Sequence, residues 1–144
     1  MAGAWSVERM LELGRLHADL EARCDIAGTL ATMVEHPVYE FFPAGLRMSG
    51  ADKVRRYYEN LLNVFVPKTS ASLIDEWVSE RAVAQEYEIV YDPQGVAEAH
   101  RVIGILYMAD GEELLGGERV YASEKCARLM LGDDLYAELE PIGR

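Results

Sequence analysis

The chain is poor in the residues that announce ready-made chemistry. Its two cysteines, Cys24 and Cys126, stand far apart, with no CxxC spacing and no neighbouring histidine. Neither a zinc site nor a disulfide framework is signalled, and both thiols are expected as small buried apolar groups. The three histidines, His17, His36 and His100, share no metal-ligand spacing, so no metal is expected. GxGxxG, GxxxxGKS/T and GxSxG do not occur. That removes the glycine-rich nucleotide loops and the serine hydrolase elbow, and no cofactor is expected. Basic residues are scarce too: 14 Lys and Arg face 25 Asp and Glu, a net charge of −11. Such a field repels phosphate backbones and anionic headgroups, which excludes nucleic acid and membrane surfaces as partners. The acidic residues are spread along the chain, where they serve solubility. No apolar run approaches about eighteen residues. The opening MAGAWSVERM lacks a basic stretch followed by an apolar one, so a cytoplasmic location is expected. At 144 residues and half hydrophobic, the chain suits one domain, 1–144, with a real core.

What is present is periodicity. From Ser6 to about Cys24 the sequence predicts a helix with Ser6 as N-cap; Arg9, Glu12, Arg15 and Asp19 share one arc, and Val7, Met10, Leu13, Gly14 and Leu20 the other. His17 sits near the middle of the apolar arc, and a polar ring on a buried face needs a partner or a purpose. Asp25 reads as the N-cap of a second helix, IAGTLATMV, ending before Pro37 with His36 as a solvated helix end. Then comes the short extended stretch PVYEFF, where alternation puts Pro37, Tyr39 and Phe41 on one face and Val38, Glu40 and Phe42 on the other. A third helix runs from about Ala51 to Val66, with Ser49 and Asp52 resembling a capping box, and Pro67 stops it.

Beyond Pro67 the period changes to that of strands. SASLIDEWVS, RAVAQEYEIVYD, AEAHRVIGILYM, LLGGERVYAS and CARLML are separated by turn signals too short for parallel crossovers, so an antiparallel sheet is predicted. The tail DDLYAELEPIGR fits either a helical turn or an edge segment. In HRVIGILYM both faces are largely apolar, so something must cover the second one; a second copy of the chain is the simplest candidate and the tail the other. The order of elements therefore predicts an α+β fold with helices gathered on one face of a bent sheet.

Two stretches carry a family likeness. CDIAGTLATMVEHPVYEF resembles a pattern of acidic turn, short helix, acidic pair and strand, and LRMSGADKVRRYYENLL resembles a serine-glycine helix start. Both are similar to the nuclear transport factor 2-like superfamily, which includes ketosteroid isomerases, scytalone dehydratase, limonene epoxide hydrolase and SnoaL-like polyketide cyclases. The resemblance implies a cone-shaped curved antiparallel sheet, cystatin-like, with three N-terminal helices packed on its concave face. It covers most of the chain, and it specifies a fold better than an activity.

Laid over the ketosteroid isomerase pattern, His17 takes the place of the oxyanion-hole tyrosine, Tyr58 matches the tyrosine that supports it, and Glu118 takes the place of the protonated aspartate. Phe41 occupies the place of the general base, one residue past Glu40, so two of four positions are chemically kept. A one-residue register slip would instead bring Glu40 into the cavity. The resemblance implies an isomerase, dehydratase or cyclase acting by proton transfer on a hydrophobic oxygenated small molecule. In that reading His17 and Glu118 are acid and base, Tyr58 and Tyr39 orient them, and Phe41, Tyr57, Trp77 and His100 line the ligand. A noncatalytic ligand-binding or dimerisation module of the same fold is the alternative. The aspartate-arginine-aspartate set of an epoxide hydrolase is not evident around Arg101.

Overall fold

The computed structural model describes residues 4–143; the first three residues of MAGAWSVERM and the last residue of the tail lie outside them. Helix α1 (Val7–Ala22) begins where Ser6 Oγ accepts the Arg9 amide, and α2 (Ile26–Ala31) where the Asp25 side chain accepts that of Gly28. Both are side-chain caps of the expected kind. Strand β1 (Met33–Phe42) starts four residues earlier than the sequence suggests, because α2 stops at Ala31 and the chain is extended well before Pro37. His36 is therefore an exposed strand residue rather than a helix end. After β2 (Leu46–Ser49), α3 (Ala51–Asn60) is capped by Gly50 at φ 97° with no side-chain bond, so the Ser49 and Asp52 capping box does not form. The helical path continues as a π turn over Leu61–Phe65 and a 3-10 turn over Val66–Lys68, which contains Pro67.

Four long strands follow: β3 (Thr69–Val78), β4 (Ala82–Tyr91), β5 (Glu98–Met108) and β6 (Leu115–Tyr121). CARLML is not a strand. It belongs to helix α4 (Glu124–Leu131), capped by Ser123, whose Oγ accepts the Cys126 amide. The tail forms both a short helix, α5 (Asp133–Ala137), and an edge strand, β7 (Glu140–Pro141), on β2.

The chain adopts the α+β fold: a curved seven-stranded sheet in the order β3-β4-β5-β6-β1-β2-β7 with helices on one face. The sheet is mixed rather than wholly antiparallel, because β1 pairs β6 in parallel with Val38 opposite Gly117 and Phe41 opposite Val120. That junction joins two distant parts of the chain, and the inner residues of both strands enter one core with Tyr57, Tyr58 and Leu62 of the α3 path. Alternation in β1 runs as the sequence suggests: Pro37, Tyr39 and Phe41 are buried, while Val38, Glu40 and Phe42 are only partly so. Glu40 points to the outer face and meets Arg119 at 3.3 Å, so the alternative register does not occur.

Helix α1 lies close to the sheet because Gly14 has no side chain: a Cβ there would come within 2.8 Å of Val83 Cγ2. The same stripe, Met10, Gly14 and His17, is its buried face. Cys126 is buried, but Cys24 is exposed in the turn after α1, at φ 54°, and so is not the buried apolar group expected of it. Among the described residues no helix is long and apolar enough to cross a membrane.

Candidate active site

Between α1, the α3 path and the inner face of the sheet lies a cavity of about 330 Å³. Its walls are mainly apolar, with Leu62, Phe65, Ile89, Val102, Leu106 and Met130 among them. The polar groups sit on opposite sides: His17 and Glu21 come from α1, and Gln85, Tyr87 and Glu118 from the sheet. No lysine or arginine lines it. A mostly apolar hollow with a few convergent polar groups is the usual form of a small-molecule site.

On the helix wall the polar groups form one hydrogen-bonded cluster. His17 is 1% exposed; its Nδ1 lies 2.7 Å from Thr32 Oγ1, and its Nε2 lies 3.0 Å from the Tyr58 hydroxyl and 2.8 Å from Glu21 Oε1. The Tyr58 hydroxyl also reaches Glu21 Oε1 at 3.0 Å, and it is hydrogen-bonded to the Tyr39 hydroxyl. Burial, before any neighbouring charge, pushes the phenols of Tyr39, Tyr57 and Tyr58 well above the ordinary tyrosine value. All three therefore stay neutral and serve as hydrogen-bonding hydroxyls or wall.

Across the cavity Glu118 stands alone. Among the described residues its carboxyl has no hydrogen-bond or ion-pair partner, and it lies over Gly104, where a Cβ would come within 2.9 Å of Oε2. Gly104 thus leaves the room the carboxyl occupies. Loss of hydration, and after it the charge of Glu21, holds the Glu118 carboxyl well above the usual carboxylate range. A carboxyl raised in this way holds its proton to higher pH than an exposed one, and while it holds it, it can donate a hydrogen bond or a proton. Beside it, burial first and Glu21 next push the Tyr87 phenol up to about 12. The Tyr87 hydroxyl donates to Gln85 Oε1 at 3.3 Å, and Gln85 donates to Glu76, which also holds Arg15 of α1. That chain ties the sheet wall to the helix wall.

Of the residues singled out from the sequence, His17, Glu118 and Tyr57 line the cavity. Tyr58 is fully buried behind His17 and reaches it through its hydroxyl, and Tyr39, equally buried, reaches the Tyr58 hydroxyl in turn. Phe41 is inward but packs against the Tyr57 ring at 5.9 Å and belongs to the core rather than the cavity wall. Trp77 is 50% exposed, because a bulge between Leu73 and Asp75 turns it to the outer face opposite Ala84. His100 lies beyond the cavity, with Nε2 3.4 Å from Glu98. These three therefore do not line this cavity. Glu21 and Thr32 were not anticipated from the sequence. Glu21 had a signal: it stands four residues after His17, on the same face of α1. Thr32 had none, since its role depends on how α2 packs under α1. Among the described residues no three His, Cys, Asp or Glu side chains converge as metal ligands would.

No family model matches the chain, and neither does any curated protein. Solved structures do. An NTF2-like protein of unknown function from Mesorhizobium loti superposes with a TM-score of 0.67 at 17% identity, over 85% of this chain and 97% of that one. A candidate SnoaL-like polyketide cyclase from Jannaschia gives 0.69 at 12% identity, over 91% and 96%. A candidate ketosteroid isomerase from Kribbella flavida gives 0.64 at 14%, over 84% and 83%. The fold is nuclear transport factor 2-like. At such identities it is the fold that is shared, and the chemistry has to be argued from the site.

Proposed function

We propose that the protein is an enzyme that moves a proton within a neutral, largely apolar, oxygenated small molecule, by isomerisation, dehydration or cyclisation, without a cofactor. The observation that carries this reading is the cavity with a proton-holding carboxyl, Glu118, on the sheet wall and the His17, Glu21 and Tyr58 cluster on the helix wall. A carboxyl whose surroundings favour its proton, facing a hydrogen-bonding cluster across a hollow, is an arrangement that acid-base catalysis can use. Two carboxyl groups and no lysine or arginine on the walls disfavour an anionic ligand and suit a neutral carbonyl compound. Solved neighbours described as a ketosteroid isomerase and a polyketide cyclase candidate point the same way.

The test is a panel of neutral hydrophobic ketones and enones, followed by His17→Ala and Glu118→Gln on whichever compound is converted. Each variant is expected to lose about 10²- to 10⁴-fold in kcat, the usual contribution of a positioned acid or base. Equal turnover by both variants would remove the assignment.

A second reading is favoured by one observation: both nitrogens of His17 are satisfied inside the protein and its ring is 1% exposed, as in a ligand-binding module whose histidine is structural. Saturable binding of a panel compound with no conversion would decide for that reading.

The same proposal includes a homodimer. The outer sheet face carries Trp77, Ile103, Ile105 and Tyr121, with Phe42 and Tyr121 stacked at 5.0 Å, and the tail that could have covered it pairs with β2 instead. Sedimentation velocity is expected to give twice the chain mass, and a monomer mass at micromolar concentration would contradict it.

A further inference from the structure

The hydrogen bonds around His17 settle where one proton sits. The Thr32 hydroxyl has a single proton, and it donates that proton to the Thr29 carbonyl at 2.7 Å. Toward His17 it can then only accept, so Nδ1, 2.7 Å away, must be the donor. With Nδ1 protonated, Nε2 faces Glu21 Oε1 at 2.8 Å. That approach lacks hydrogen-bond direction, and the hydrogen bond on Nε2 is the one with the Tyr58 hydroxyl at 3.0 Å. The same hydroxyl lies 3.0 Å from Glu21 Oε1, so it links ring and carboxyl.

Access divides the roles. The His17 ring is sealed at 1% exposure, whereas the Glu21 side chain is 27% exposed and lines the cavity. A ligand can touch the carboxyl and not the ring nitrogens. We propose that Glu21 is the catalytic acid-base group of the helix wall, tied to His17 through the Tyr58 hydroxyl, and that His17 and Thr32 are positioning residues that hold its carboxyl toward the cavity. This assignment rests on the proton-transfer reading above.

The step balances without a co-reactant. A carbon-bound proton next to the ligand carbonyl passes to the Glu21 carboxylate, the C–H electron pair forms the C=C bond of an enol, and the carbonyl oxygen takes the Glu118 proton. In a β,γ-unsaturated ketone, return of the Glu21 proton to the γ carbon, with the C=C bond shifting to the α,β position, and of the enol proton to Glu118 completes an isomerisation. The His17 ring, held by Thr32 on one side, keeps the Tyr58 hydroxyl and the Glu21 carboxyl in place on the other.

The test is the imidazole nitrogen spectrum of His17 in the full-length, ¹⁵N-labelled protein without ligand, read by long-range proton-nitrogen correlation. A protonated Nδ1 is expected in the natural protein and in Thr32→Ser. Thr32→Val, which removes the acceptor, is expected to move the proton to Nε2. An unprotonated Nδ1 in the natural protein, or a spectrum unchanged in Thr32→Val, would overturn the assignment. On a converted ketone, Glu21→Gln is expected to lower kcat at least tenfold. Thr32→Val is expected to lower kcat with KM unchanged, and Thr32→Ser to restore it. Full turnover by Glu21→Gln would also overturn it. Were no compound converted, the proton-transfer reading would fail while the nitrogen spectrum still reported on the proton, so the two failures are distinguishable.

Discussion

Glu118→Gln is expected to gain stability over the natural protein as the pH rises, with the two proteins' difference constant below about pH 4 and widening to about 1 to 3 kcal/mol by pH 8, the cost of an unsatisfied buried polar group. The cause is the carboxyl on the cavity wall, raised first by lost hydration and then by Glu21. A carboxyl whose folded value is raised contributes stability that is fully present below its unfolded value, near 4.5. That stability is lost as pH climbs from there through the folded value, at up to about 1.4 kcal/mol per pH unit. Glutamine does not ionise and escapes that loss. Other carboxyls act with the opposite sign: Glu98 and Glu138 are held below the usual range by hydrogen bonds from Lys125 and Arg56, so their contribution is lost on acidification. Both are present in each protein, so they cancel in the difference. Urea unfolding of the two proteins between pH 4 and pH 8 measures it, and a difference that stays constant across that range would place Glu118 in bulk solvent.

Gly117→Ala is expected to be the most damaging small change in the chain, costing about 3 to 5 kcal/mol, at the upper end for single substitutions. Gly117 has φ 151° and sits opposite Val38 where β1 and β6 run in parallel, beside a register shift. A Cβ there would overlap the Val38 carbonyl oxygen and stand 2.7 Å from the Tyr107 hydroxyl, which donates to that same oxygen at 2.8 Å. Both neighbours are fixed, one as backbone and the other by its bond, so the strand itself must move. Glu118 is the next residue, and its aim into the cavity would move with it. Denaturant unfolding of Gly117→Ala against Gly95→Ala, a turn glycine at φ 78° with open space around it, isolates the clash from the cost of about 1 to 2 kcal/mol that a Cβ carries in the left-handed region. A loss at Gly117 no larger than at Gly95 would contradict the tight junction.

Much of this architecture was legible because local period and core position coincide. The stripe Met10, Gly14, His17 follows the helical repeat, and Tyr39 and Phe41 follow the strand repeat, so the inward side of both elements could be read directly. CARLML misled because six residues, mostly apolar, after a serine look alike as strand and helix. The Ser123 cap and the Glu124 to Arg128 spacing, with an ion pair at 3.1 Å, decide for helix. The parallel pairing of β1 with β6 leaves no local trace, since it is chosen by how the sheet closes. Trp77 was lost to a single bulge, which reverses the face of every residue after it. Glu21 was overlooked for a different reason: a glutamate near a helix end usually faces water, and only the cavity beside it and the His17 ring before it give it another role.

The central claim is that a carboxyl on the sheet faces an enclosed hollow with its proton on, opposite a helix wall that holds another. Following the Glu118 side-chain carbonyl carbon by ¹³C NMR through a pH titration, with Glu118→Gln to identify the signal, tests it most directly. The account expects that carbon to titrate well above the range of the exposed glutamates. Titration together with them, near 4.5, would contradict it.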